Sequence, residues 1–407
     1  MRVPLAASGL RDSDIDLVTS VLRSGNLTMG NEVKKFEKLM CEYLNVNNFI
    51  MVNSGSSANL LMLEALLRPT KSKPRLYSGN GVLVPAIAWP TTIWPIIQLG
   101  LTPIFVDIDP MTLAIDLTKA QKLIDSTKIP VAAIFPIHPL GHSIPPSELK
   151  EFVDSNDLIL INDVCESLGS WSEGAHAGME GIAASFSFYF SHHITTMEGG
   201  GIATNDSEYA DDLRSMRSHG WSRDRTDASS WNQLASGNNE KFLFVSTGYN
   251  FRPMEIQAAI GSSQIKEIDN FVEKRRLIAK KVSKAIEGSP LRVIGSETLG
   301  SKKEKSNSWM LIPIYVSDDK STNLKDQIVK FLEERGIETR PVLTGNFLAQ
   351  PSIQRISKHA VDSKSFTAAQ DITNNGFLIG AHHDLLENQI EYLCDNLYEI
   401  THKLKNF

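Results

Sequence analysis

The chain has 407 residues, of which 42% are hydrophobic and 22% charged, enough to bury a large core and to fill two or three domains. Its 41 Lys plus Arg against 47 Asp plus Glu leave a formal net charge of −6 with no basic block, which argues against a nucleic-acid or membrane-surface partner. Three scattered cysteines (Cys41, Cys165, Cys394) exclude a disulfide framework and a four-cysteine metal or iron–sulfur site. With no 18-residue apolar run and no signal-like head, a cytoplasmic enzyme is expected.

Along the chain, short runs rich in Val, Ile and Leu predict buried strands at Phe49–Val52, Val82–Pro85, Pro103–Val106, Val131–Phe135 and Leu158–Ile161. Helical patterns such as Ala58–Leu67 and Leu117–Ile124 separate them. That alternation predicts an α/β fold with a mostly parallel sheet covered on both faces. Further apolar segments follow at Ala183–Phe190 and Gly201–Thr204. A polar stretch, Ser222–Lys241, reads as a long surface loop, and a helical block runs from Pro253 to Ala285. Gly295–Ser308 reads as another surface loop. A strand (Trp309–Val316), a helix (Asn323–Arg335), a short strand (Phe377–Ile379) and a closing helix (Glu387–Lys403) then suggest a smaller C-terminal α/β domain. The expected division is a large domain over 1–265 and a small one over 266–407.

Four constellations carry chemistry. Asn53-Ser-Gly-Ser-Ser-Ala-Asn59 joins a strand to a helix; small residues there let backbone N–H groups approach an anion, although a plain turn capped by Ser57 fits as well. Asp163 and Glu166 follow a strand, where open α/β sheets bind ligands; a buried carboxylate there suits a pyridinium nitrogen, and equally a helix cap. The run Ser185 to Gly201 holds adjacent His192 and His193 in a Ser-, Thr- and Gly-rich setting, which suggests a tight polar loop and offers no third metal ligand nearby. Gly248-Tyr-Asn250-Phe-Arg252-Pro253 leads into an apolar helix with Pro253 placed for its first turn. Asn250 and Arg252 suit an anion, or simply a helix entry.

The order and spacing of these motifs, from Thr28-Met-Gly30 to Thr344-Gly-Asn-Phe347, resemble the DegT/DnrJ/EryC1/StrS sugar aminotransferase family over essentially the whole chain. The resemblance implies the type I, aspartate aminotransferase-like pyridoxal-phosphate (PLP) transferase fold. In that family the stretch corresponding to Ser187–Gly201 reads S-F-x-x-x-K-N-L-T-T-G-E-G-G, so His192 stands in the place of the lysine that links to the cofactor. No lysine occurs between Lys150 and Lys241. This His-for-Lys change marks a subgroup. It implies a 3-dehydratase that removes the C3 hydroxyl of a nucleotide-linked 4-keto-6-deoxy sugar, GDP-4-keto-6-deoxymannose being the expected substrate. Pyridoxamine phosphate (PMP) would be regenerated by transamination from L-glutamate, and His192 would act as the general base. The resemblance further implies that Trp89 stacks on the cofactor ring, Asp163 pairs with its nitrogen and Glu166 faces its hydroxyl. Ser56, Ser57 and Ser187 would hold the phosphate, with Asn250 reaching in from a partner subunit of a homodimer with shared sites. His219 and Arg223 are expected on the substrate phosphates. Pro136-Ile-His138-Pro-Leu-Gly-His142 departs from the subgroup's pattern. The alternatives are a nucleotide-sugar aminotransferase with an unusual base and a non-catalytic paralogue that binds the cofactor.

Overall fold

A computed structural model of the chain describes residues 1–7, 9–73, 75–233, 235, 240–317, 323–356 and 363–404. Seven strands form the main sheet: β1 (Asn48–Val52), β2 (Gly81–Pro85), β3 (Thr102–Val106), β4 (Val131–Ile134), β5 (Ile159–Asp163), β6 (Ala183–Ser187) and β7 (Gly200–Thr204). Their order is β1-β7-β6-β5-β4-β2-β3. The pairs among β2 to β6 are parallel, and β7 runs antiparallel to both β1 and β6. The parallel strands are continuous apolar runs because both faces are covered, as expected for βαβ crossovers.

The chain also forms helices α1 (Asp12–Ser24), α2 (Asn31–Leu44), α3 (Gly55–Leu67), α4 (Pro90–Gln98), α5 (Leu117–Ser126), α6 (Pro146–Asn156), α7 (Ser207–Met216), α8 (Glu255–Gln264) and α9 (Ile268–Ala285). α3 is buried nearly all round, Leu61, Met62, Leu63 and Leu66 being fully enclosed, and it meets β6, β7, α4 and α7. Such a helix has no polar stripe because it has no wet face. α2 and α5, by contrast, are amphipathic: α2 buries Val33, Phe36, Met40 and Leu44 at helical spacing.

A second sheet has order β8-β9-β11-β10, all antiparallel, with β8 (Leu291–Val293), β9 (Leu311–Val316), β10 (Thr339–Arg340) and β11 (Gly376–Gly380). Its own core takes Ile278, Ala279 and Val282 from α9, Ile328 and Leu332 from α10 (Leu324–Glu333), and Leu393 and Leu397 from α12 (Glu387–Leu404). Between them in sequence, α11 (Thr367–Asn375) is held by Asp107 at the end of β3, whose carboxylate accepts from the N–H groups of Ala368 and Ala369. α9 serves two cores at once, since Ile268 and Val272 pack under the main sheet.

The structure corrects several expectations. Of the apolar segment Ala183–Phe190, only Ala183–Ser187 is strand (β6), because Phe188 turns to pair with Gly199 and Thr196. β5 continues to Asp163, so Asn162 and Asp163 are its last two residues. Ser222–Lys241 is not one loose loop. It holds helical turns at Ser222–Asp224 and Ala228–Asn232, pinned by buried Arg225, which donates to Asp212 and Asp227; residues 234 and 236–239 lie outside the described residues. Gly295–Ser308 is not a plain surface loop either, for it contains two 3-10 turns and buries Thr298, Ser306, Asn307 and Ser308. Pro253 precedes the helix start: Met254 is the N-cap and α8 begins at Glu255.

That Glu255 has a distant task. The N-cap of α2 is Gly30, which has no side chain to satisfy the free N–H groups of a helix start. Glu255, 3% exposed, supplies the cap from α8, accepting from Gly30 N and Val33 N on Oε1 and from Glu32 N on Oε2, at 2.8 to 3.0 Å. Replacing it by alanine leaves three N–H donors, one buried and two part-buried, without that partner. Glu255→Ala is therefore expected to cost about 1–3 kcal/mol, seen as a lower denaturation midpoint by circular dichroism. An unchanged midpoint would show that water replaces the carboxylate.

Candidate active site

The parallel strands of the main sheet end at a common edge, and a cavity of about 580 Å³ opens there. It is lined from the segment after β2 (Trp89, Thr92), after β4 (Ile137), from the ends of β5 (Asp163) and β6 (Ser187), and from the small sheet by Arg340 on β10. Ligands settle at this edge because loops and helix N-termini converge there.

At one end lies the start of α3. Ser54 is the N-cap, its Oγ accepting from Ser57 N at 3.1 Å, so the expected capping role of Ser57 belongs to Ser54. Gly55 and Ser56 line the cavity. A Cβ on Gly55 would lie 2.7 Å from Ser187 Cβ and 2.9 Å from Cys165 Sγ, and one on Gly200 would lie 2.3 Å from the Ser54 carbonyl carbon. Hydrogen at both positions lets β6, β7 and the helix start close up. The product is a recess of main-chain N–H groups and hydroxyls, a favourable setting for an anion.

At the other end sits Asp163, 4% exposed. Its Oδ2 accepts from Asn59 Nδ2 at 2.8 Å and from Thr92 Oγ1 at 2.7 Å, while Oδ1 accepts from Cys165 N at 3.1 Å. No helix follows Asp163, so it caps none. Glu166, three residues on, accepts from Leu140 N at 2.9 Å. Burial raises its carboxyl to about 7, against the pull of that N–H and of Arg340. Leu140 reaches it from a left-handed backbone (φ 53) in the stretch Pro136–His142. His138 anchors that stretch: its ring meets Asn162 Oδ1 at 3.1 Å and accepts from Ile144 N at 3.1 Å. The departure in sequence there is thus a buried brace behind Glu166.

His192 lies on the turn after β6 and lines the cavity. Its Nδ1 meets the carbonyl of Cys165 at 2.6 Å. A carbonyl only accepts, so Nδ1 carries the hydrogen and Nε2 keeps the lone pair. Burial pushes the ring down to about 4. The Cys165 carbonyl and Asp163 oppose that shift, and Arg340 and Arg275 add to it. His192 is therefore neutral near pH 7. His193 points elsewhere, its Nε2 donating to Ser308 O at 3.2 Å. No lysine lines the cavity among the described residues.

The cavity brings together Ser56, Trp89, Asp163, Glu166, Ser187 and His192 of the residues expected from sequence. Ser57 stands behind the recess, 3.0 Å from Ser54 Oγ. Asn250, His219 and Arg223 are exposed and outside the cavity of their own chain. Asn250 accepts from Arg252 Nε at 2.9 Å, and Arg223 stacks over Trp221 at 4.0 Å. Sequence reasoning missed Ser54, Thr92 and Arg340. The first sits inside the Asn53–Asn59 run and was within reach as the residue before the helix, whereas nothing local marks the other two.

A family model described as the DegT/DnrJ/EryC1/StrS aminotransferase family matches residues 9–398. The chain belongs to that family. Within it, the chain is 36% identical over 406 residues to GDP-4-keto-6-deoxy-D-mannose 3-dehydratase of Yersinia pseudotuberculosis, covering 98% of each. Two solved structures of GDP-4-keto-6-deoxymannose-3-dehydratase superimpose at 34% identity. One, a mutant with bound GDP-perosamine, has a TM-score of 0.85 and covers 97% of this chain and all of the other. The second, with a trapped PLP–glutamate geminal diamine, has a TM-score of 0.84 over the same shares. The family member's cavity fits a phosphorylated pyridoxal group: a recess of donors at one end, a carboxylate held by Asn59 and Thr92 at the other, and the half-exposed indole of Trp89 on the wall. Gly55→Ala is expected to crowd the recess and weaken PLP binding about tenfold or more, measured by absorbance titration. Equal affinity would place the phosphate elsewhere.

Proposed function

We propose that this family member is a PLP/PMP-dependent 3-dehydratase acting on a nucleotide-linked 4-keto-6-deoxy sugar, GDP-4-keto-6-deoxymannose being the favoured substrate. One observation carries the reading: the cavity presents a neutral imidazole, His192, and no lysine among its described lining residues. Similarity to relatives named for that reaction, and to structures holding GDP-perosamine or a PLP–glutamate adduct, supports it.

When bound as PMP, the cofactor supplies an amine for the C4 ketone of the sugar and an electron sink for loss of the C3 hydroxyl, with L-glutamate restoring the amine. The chain's own residues would do the rest. Ser56, Ser57 and Ser187 would hold the phosphate beside the start of α3, joined by Asn250 of a partner subunit. Trp89 would stack on the ring, and Asp163 would hold the ring nitrogen in its protonated form. Glu166 would face the ring hydroxyl. His192 cannot form the covalent link a lysine makes, so the cofactor would be held by these contacts alone. With Nδ1–H fixed on the Cys165 carbonyl, Nε2 would take up a proton and, once charged, hand it to the departing C3 oxygen. His219 and Arg223 lie outside their own chain's cavity, and we assign them to the substrate phosphates of a partner's site. That arrangement needs a homodimer with shared sites.

Purified protein given PLP, L-glutamate and GDP-4-keto-6-deoxymannose is expected to yield 2-oxoglutarate, ammonia and a sugar nucleotide lacking one oxygen, followed by mass spectrometry. An amino sugar would instead favour the aminotransferase reading. His192→Lys should lose dehydration and gain a covalently bound cofactor, visible as a mass adduct after borohydride. Dehydration at the wild-type rate in that variant would sink the assignment of the base. The pH profile offers a further check. A histidine that must be neutral and titrates near 4 keeps its lone pair at all higher pH. The acid limb of kcat/KM that belongs to His192 is therefore expected well below the usual histidine range. A limb near 6.5 that persists in Glu166→Gln, whose carboxyl is raised to about 7 in the wild type, would contradict the burial of the ring.

A further inference from the structure

Behind His192, on the side away from the cavity, lies Arg275 of α9, 1% exposed. It makes no ion pair among the described residues. Its partners are main-chain carbonyls: Met310 O at 2.8 Å, Trp309 O at 3.4 Å and His192 O at 3.3 Å. Its Nε has no partner. A fully enclosed guanidinium with no carboxylate in contact is an expensive arrangement, because three carbonyl dipoles and the field of Asp384 in the same pocket replace its hydration only in part. The neighbouring Arg276 is laid out differently. It bonds the carbonyls of Asn307, Gly169 and Lys305 and lies 3.7 Å from Glu273. Two successive arginines thus clamp the segment entering β9, and of the two only Arg275 also grips the residue that carries the imidazole.

We infer that Arg275 is a positioning residue for His192: bound only to carbonyls, it ties the turn after β6 to the Trp309–Met310 segment and so fixes the imidazole at the cavity wall. The ring itself is held by Nδ1 on the Cys165 carbonyl at 2.6 Å, and the turn's main chain by His192 N to Tyr189 O at 2.9 Å, Thr196 N to Phe188 O at 2.8 Å and Thr195 N to Gln264 Oε1 at 2.8 Å; Arg275 adds the bond on the His192 carbonyl. His193 and Arg275 both end on residues 308–310, so the His192 carbonyl and the side chain after it are held by one short segment that itself reaches the cavity through Met310. The planar fork of arginine can bridge His192 to Met310, whereas a lysine ammonium would satisfy fewer of the three carbonyls. Charge follows from the same placement. Groups facing His192 are Arg275, Arg340 on β10, Asp163 on β5 and His193 beside it, and Arg275 is one of the two cations that disfavour protonation of the ring.

The role assigned to His192 rests on the dehydratase reading, so the test has one arm that needs no substrate. In the full chain, with and without PLP, carbethoxylation of His192 by diethylpyrocarbonate is followed by peptide mass between pH 4 and 8. Only the neutral ring reacts. Arg275→Met is expected to move the onset upward, since a cation that disfavours protonation of the ring is removed. In the holoenzyme the same change is expected to lower kcat on the order of tenfold to a hundredfold, with KM within about twofold. Arg275→Lys should keep the onset and still lose kcat; if the methionine variant fails to fold, the lysine variant carries the test. Arg276→Met removes as many carbonyl bonds without touching His192, so it should lower the denaturation midpoint and leave both readouts in place. The inference is overturned if Arg276→Met reproduces the losses, or if neither Arg275 variant changes kcat or the carbethoxylation profile. If the wild type dehydrates no sugar, the dehydratase reading falls, and the carbethoxylation arm alone still decides the placement of Arg275.

Discussion

The bond from His192 Nδ1 to the carbonyl of Cys165 is the contact on which the rest of this site depends. It joins the turn after β6 to the stretch after β5, and both strands lie side by side in the sheet. Through that single bond the tautomer is fixed, the free nitrogen is defined, and the ring is placed within the field of Asp163 two residues before Cys165. A lysine in the same place would carry no such constraint, because a flexible ammonium stem has no tautomer to fix.

Around this bond the structure works by close approach. Glycine at 55 and at 200 lets β6, β7 and the start of α3 come together more tightly than any side chain would permit. The helix start then offers N–H groups, with Ser54 satisfying one internally. Asp163 is held by two donors from α3 and α4, so its carboxylate is aimed before any ligand arrives. Preorganisation of this kind reduces what binding must spend on ordering side chains. The small sheet contributes from the opposite side, with Arg340 on the wall and, through α9, the arginine clamp behind the turn.

Much of this was legible in the residues. Periodicity located five strands of the main sheet to within a residue or two, since buried parallel strands are continuous apolar runs. The motif order located Asp163, Glu166 and the histidine in the lysine's place. Local reading failed where a partner is distant in sequence. The cap of α2 comes from Glu255, more than two hundred residues away, and the polar stretch after Ser222 is ordered by Arg225 against Asp212. Polar composition looked like loop because it does not reveal which charges pair.

The sequence by itself determined the fold class, the family and that a histidine stands where the family has its lysine, because these depend on residue type and order along the chain. Tertiary structure alone decided which nitrogen of His192 is free, which donors hold Asp163, that Leu140 meets Glu166, and that Arg340 lines the cavity while Arg275 lies behind His192. Those facts depend on distances between segments far apart in the chain, and hydrogen bonds and burial respond to distance in space, on which sequence spacing is silent.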